Sequence, residues 1–243
     1  MLVIPASIFG LKVFYTFQKN MISGEDMKLF YAHSTSSEDK SDWQLLDEHL
    51  ENVCTKAGAF AKNFGASAWG RILGKSHDMG KGSYLWQAYL RHVNNIVDEF
   101  SEFYDGHPSH AFTGAQWLYK NSKDVGKLLA YCIAGHHGGL PNWSDMGPSA
   151  LKNRMEQHYP EIEIPHSLPD FPKQPPISFE QNRLGFQLQF FIRMLFSCLV
   201  DADFLDTERS LDKSKSDCRS KFCDFSELYN EFCPLCQDRS RLN

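Results

Sequence analysis

The sequence predicts an all-α domain. Apolar residues recur at spacings of three and four through most of the chain, serines stand where helices should begin, and strand-like patterning is confined to the N-terminal end, in VFYTF and MKLFYA. After Ser41-Asp42, the residues Trp43, Leu46, Leu50, Val53, Ala57, Phe60 and Phe64 fall on one helix face. A second helix is expected over roughly 66–79 and a third from Ser83. Ser109 is placed to cap a helix running through Tyr119. Ser122 is placed to cap another, whose buried stripe is Val125, Leu128, Leu129, Cys132 and Ile133 and which runs into His136. A long helix over about 178–208 carries Leu184, Leu188, Phe191, Leu195, Cys198 and Ala202, with the run LQFFIRMLFSCLV reading as buried.

Between residues 138 and 177 the period is lost to glycines and prolines. A segment this long and irregular, placed after a histidine pair, reads equally as a lid over a site or as a disordered insertion. From residue 209 the chain turns charged, and Cys218, Cys223, Cys233 and Cys236 have zinc-like spacing, while Phe222, Phe225, Leu228 and Tyr229 fit an amphipathic helix instead.

The chain has 243 residues, 42% hydrophobic, with a net charge of −5. That suits one compact domain and argues against holding nucleic acid by bulk charge. Seven cysteines, three of them (Cys54, Cys132, Cys198) on apolar helix faces, imply buried reduced thiols and a cytoplasmic protein. No apolar run is long and unbroken enough to span a membrane.

The stretch LGKSHDMGK can be read as a phosphate-binding loop or as metal ligands. The loop motif needs four residues between its first glycine and GK[ST], whereas only Arg71, Ile72 and Leu73 separate Gly70 from Gly74. The preceding AKNFGASAWGRIL is helical in pattern, where a strand is required. His77-Asp78 remains. Other donors stand at element ends or in core helices: His33, His110, His136, His137, and Asp201 and Asp203 in VDADFLD. Any one histidine alone is an ordinary core or helix-end residue. Together the set mixes imidazole and carboxylate without thiolate, which suits Mn, Fe, Ni, Co or Mg better than structural zinc. A carboxylate among imidazoles can bridge two metals, and two metals clamp a phosphodiester undergoing hydrolysis.

In order, YAHS, LGKSHDMGK, SHA, GHHGGLP and VDADFLDTE resemble the HD nuclease domain of the CRISPR-associated type I helicase-nuclease, a branch of the HD superfamily of metal-dependent phosphohydrolases. The resemblance runs from about Met27 to Glu208. It implies an all-helical HD bundle with a central dinuclear site and a nuclease acting on single-stranded DNA exposed by a crRNA-guided surveillance complex. By motif, His33, His77, Asp78 and Asp203 would hold one metal, and Asp78, His110, His136 and His137 the second. Asp203 is preferred to Asp201 because the family's aspartate follows alanine. Lys81 would neutralise a phosphate oxygen as charge develops. Residues 1–26 read as an extension, 27–210 as the nuclease domain, and 211–243 as a segment leading toward a helicase, which as a domain or subunit is an implied partner. The alternative function is a nucleotide phosphohydrolase of the same superfamily. Tyr84, Trp86 and above all Trp143 are candidates for stacking on unpaired bases.

Overall fold

The computed structural model describes residues 29–37, 39–97, 104, 106–144, 147, 150–159, 162, 168–219, 226 and 229. Eight α-helices are found among them, so the helical expectation is met: α1 (Leu46–Lys62), α2 (Ser67–Ser76), α3 (Tyr84–Val93), α4 (Ala111–Asn121), α5 (Lys123–Gly135), α6 (Leu151–Met155), α7 (Leu184–Leu211) and α8 (Lys213–Arg219). The one sheet among the described residues pairs β1 (Tyr31–His33) with β2 (Gln44–Leu45), antiparallel. Its first strand takes in the end of MKLFYA, a slight departure from a purely helical fold; VFYTF lies outside the described residues.

Helix α1 carries Asp47 and Glu48 in its first turn and Lys62 in its last, matching the helix dipole at both ends. It packs against α2 at a distance no side chain would allow at one position: a Cβ on Gly74 would stand 2.5 Å from the Cys54 nitrogen. The core joins Val53, Trp69, Leu73, Leu118, Leu129, Ile133, Phe191, Leu195 and Leu199, so α1, α2, α4, α5 and α7 share one apolar interior. Trp69 meets Phe191 edge-on at 5.2 Å between ring centroids.

The serine expectations divide. Ser83 caps α3, accepting from the Trp86 N–H at 3.2 Å. Ser109 does not cap α4, where His110 holds the N-cap position; the Thr113 hydroxyl instead donates to the Ser109 carbonyl. Ser122 stands at the N-cap of α5 without a side-chain bond. The long helix begins at Leu184, after a 3₁₀ turn at Gln181–Arg183. Its 188–200 stretch is not buried all round: Phe191, Leu195 and Leu199 face the core, while Phe190 within it and Phe186 just before it are 57% and 65% exposed.

The irregular segment is partly built in. Helix α6 lies inside it with Leu151 fully buried, fixed by Leu151 N–H to the Asn142 carbonyl (2.9 Å) and Lys152 N–H to the Trp143 carbonyl (3.0 Å). The Gln116 amide donates to the Met155 and Gln157 carbonyls at 2.7 Å each. Trp143 is half-buried. It packs on Tyr119 and Tyr131, with Lys127 Nζ 3.8 Å over its ring. Cys218 is exposed, and the other three cysteines of the zinc-like set lie outside the described residues. No described helix is long and apolar enough to cross a membrane.

Candidate metal centre

The chain turns sharply after α2, and Asp78 opens the 3₁₀ turn Met79–Gly82. That turn presses on the start of α4: a Cβ on Gly80 would lie 2.2 Å from the His110 carbonyl oxygen. Glycine at 80 is therefore what brings His110 beside Asp78. Ser76, the residue that suggested a phosphate loop, donates its hydroxyl back to the Ile72 carbonyl within the helix, and it is fully buried.

Asp78 is completely buried and divides its two oxygens between two groups of donors. Oδ1 faces His110 Nε2 and His136 Nε2, each at 3.3 Å, with His137 Nε2 2.7 Å from His110 Nε2. Oδ2 faces His49 Nε2 and His77 Nε2, each at 3.5 Å. Asp203 Oδ1 closes that second group at 3.4 Å from His49 and 3.5 Å from His77. Within each group the donor atoms lie within 4.8 Å of one another. Neither Asp78 oxygen accepts a well-directed hydrogen bond, although Lys81 Nζ stands 2.7 Å from Oδ2, and His136 Nε2 is likewise unpartnered. A buried carboxylate and imidazole left this way are costly unless a further group satisfies them.

The tautomers point inward. His77 Nδ1 donates to the Gly74 carbonyl (2.9 Å) and His136 Nδ1 to the Ile133 carbonyl (2.6 Å), while His49 Nδ1 meets Asp206 Oδ2 at 3.0 Å. In each ring the second nitrogen is tied to an acceptor, and Nε2 is left for the centre, as in histidines that bind metals. Donors spaced at about the edge length of a ligand polyhedron with ~2.0–2.2 Å bonds fit small divalent ions.

His33 is not in either group. Its Nδ1 bonds Gln44 Oε1 at 2.8 Å and its Nε2 faces Lys81 Nζ at 3.1 Å, so both nitrogens are engaged one layer out. His49, from α1, stands where the sequence reading had placed His33. His77, Asp78, His110, His136, His137 and Asp203 are brought together as that reading grouped them, whereas Asp201 faces solvent. Lys81 is 4% exposed and paired with Asp78, so it neutralises that carboxylate and is not free to reach into solvent.

A supporting layer was missed from sequence. Asp206 accepts from the Gln44 amide (2.7 Å), from Lys56 (2.7 Å) and from His49. Gln44 thereby links His33 to Asp206. Gln87 pins β1 to the 3₁₀ turn, accepting from Tyr31 N–H (3.1 Å) and donating to the Lys81 carbonyl (2.9 Å).

Electrostatics divide the histidines. Burial alone would lower the His49 pKa, but the nearby carboxylates of Asp203, Asp206 and Asp78 push it up to about 10. His136 is also raised: burial opposes this, and the Asp78 carboxylate outweighs it. Burial pulls His110 down to about 3, His33 to about 4 and His137 to about 4, with nearby cations and imidazoles adding to it. Burial would raise the Asp78 carboxyl, yet Lys81 and the surrounding imidazoles hold it well below the usual range. Asp203 is depressed in the same way, chiefly by His77 and His49 against the effect of burial.

The family model described as Cas3, HD domain matches residues 24–183 of the chain. That span ends where α7 begins, so Asp203 lies beyond it. No curated protein matches the sequence.

Proposed function

The chain belongs to the family of Cas3 HD domains, HD-type metal-dependent nucleases of CRISPR systems, and from that premise we propose that it cleaves single-stranded DNA in type I interference. In this role it acts beside a crRNA-guided surveillance complex and a helicase domain or subunit. Residues 27–210 form the nuclease unit in this reading, flanked by the extension 1–26 and the segment 211–243. The observation that carries the proposal is the buried Asp78 carboxylate, one oxygen turned to each donor group.

In this reading Asp78, His49, His77 and Asp203 hold one divalent ion, and Asp78, His110, His136 and His137 the other. Two such ions, when bound, supply Lewis acidity to a phosphodiester and lower the pKa of the attacking water. Asp78 would be shared between the two, and Lys81 balances its charge. Asp206 orients His49 and, through Gln44, the His33 ring. His137 is the exposed member, so substrate approaches from its side. A flexible single strand can bend to reach a centre whose other donors, Asp203 apart, are buried, whereas a duplex is stiff and wide.

The test is a metal-by-metal assay with Mn, Fe, Ni, Co and Mg on single-stranded DNA, blunt duplex and free nucleotides. Single strands cut far faster than duplex is the expected result. Hydrolysis of nucleotides alone would overturn the proposal in favour of a phosphohydrolase.

A further inference from the structure

A cavity of about 530 Å³ opens beside the second donor group, and His110 and His137 form one of its walls. Its size falls within the ~300–1,000 Å³ of sites that seat small ligands. Phe112, Asn142, Arg154 and His107 also line it, and no aspartate or glutamate does so among the described residues.

Arg154 is the unusual member. Its guanidinium lies 4.6 Å over the Phe112 ring. Phe112 in turn faces Tyr159 with ring centroids 6.3 Å apart and planes 14° apart. The guanidinium thus stands at the end of a stack and also interacts with the Tyr159 hydroxyl. Its Nε is buried and lacks a hydrogen-bond partner, and no carboxylate pairs with it among the described residues. Two buried lysines differ: Lys75 pairs with Glu51 and Lys81 with Asp78. A part-buried guanidinium without a counter-ion is costly, and the cost is recovered when an anion arrives. The planar fork matches a phosphate, which it can bind through two parallel hydrogen bonds. The residue sits on α6, which Asn142, Trp143 and Gln116 anchor, so its position does not depend on a free loop.

We propose that this cavity seats the nucleotide next to the scissile phosphodiester, and that Arg154 holds that nucleotide's own phosphate. The inference rests on the nuclease reading and makes Arg154 a substrate-positioning residue for the single strand.

The experiment measures fluorescence anisotropy of a labelled single-stranded oligonucleotide in EDTA, across a salt series, for the wild type, Arg154→Gln and Arg154→Lys. Removing one charged phosphate contact should weaken binding by roughly tenfold at low salt. The slope of log affinity against log salt should become shallower by about 0.7, one phosphate's share for a single strand. With Mn present, the KM of Arg154→Gln should rise in step while kcat falls less than threefold, a split that a purely structural arginine would not give. Arg154→Lys should keep the wild-type slope but bind several-fold more weakly, because the fork is lost. If Arg154→Gln fails to fold, the lysine variant decides, and wild-type affinity in it overturns the assignment. A wild type that cleaves single strands, with Arg154→Gln unchanged in affinity and slope, overturns this inference alone. A wild type that binds metal but neither binds nor cuts single strands overturns the nuclease reading and this inference with it.

Discussion

Replacing His49 and His33 in turn separates two assignments of the same ligand. His49 is fully buried, with Nε2 3.4 Å from Asp203 and 3.5 Å from Asp78, and Nδ1 3.0 Å from Asp206. His49→Ala removes one of four donors from the first group and leaves three carboxylates without the imidazolium that faces them in the metal-free protein. Breaking a buried charge pair by removing one partner costs about 3–5 kcal/mol. His33→Ala removes only an outer contact to Gln44 and Lys81. Outer-layer changes cost about 10–100-fold in metal affinity, or roughly 1.4–2.7 kcal/mol. Calorimetric Mn titration of the metal-free protein, with bound metal counted by elemental analysis, measures the difference. The expected result is two ions in wild type and His33→Ala, and one ion in His49→Ala, with affinity for the other lowered beyond ~100-fold, the upper end of outer-layer effects. One ion in His33→Ala and two in His49→Ala would refute the assignment.

Asp78→Asn should bind neither ion tightly and should lose cleavage of single strands in Mn, as read by gel assay, because one carboxylate serves both groups. Asp203→Asn should lose the ion held with His49, whereas Asp201→Asn, on the exposed side of α7, should change unfolding free energy by no more than about 0.5 kcal/mol in urea denaturation. Gly80→Ala forces a Cβ to within 2.2 Å of the His110 carbonyl; overpacking of about 1–3 kcal/mol should appear as a lowered melting temperature, with the ion beside His110 weakened more than the other. In EDTA, stability should peak near neutral pH. Folded His33 and His110, held at about 4 and 3, resist protons that the unfolded chain takes up, so stability is lost as pH falls through about 6.5. His49, raised to about 10, contributes stability that is full below about 6.5 and lost as pH climbs toward its folded value. Urea midpoints at several pH values check both limbs.

Helical periodicity made most of the bundle legible, because α1, α5 and the inner face of α7 each bury one stripe. Six of the clustered donors, His77, Asp78, His110, His136, His137 and Asp203, stand in HD, SH, GHHGG and VDAD, the motifs that carry the family resemblance. His49 carries a signal of its own. It falls three residues after Leu46 and four before Val53, on the buried face itself, although no motif marks it as YAHS marks His33. Asp206 follows Asp203 by three residues and so lies on the same side of α7, a spacing that marks it as a neighbour of the site. What could not be read was tertiary in origin. Two-residue pairing in β2 leaves no periodicity, and the exposure of Phe186 and Phe190 depends on where neighbouring elements end. The packing of Trp143 depends on α4 and α5 folding behind it.

Anomalous diffraction from crystals soaked in Mn tests the central claim most directly. The account predicts two peaks, one on each side of the Asp78 carboxylate, the first among His49, His77 and Asp203 and the second among His110, His136 and His137. A single peak, or a first ion bound to His33 with His49 outside its shell, would contradict it.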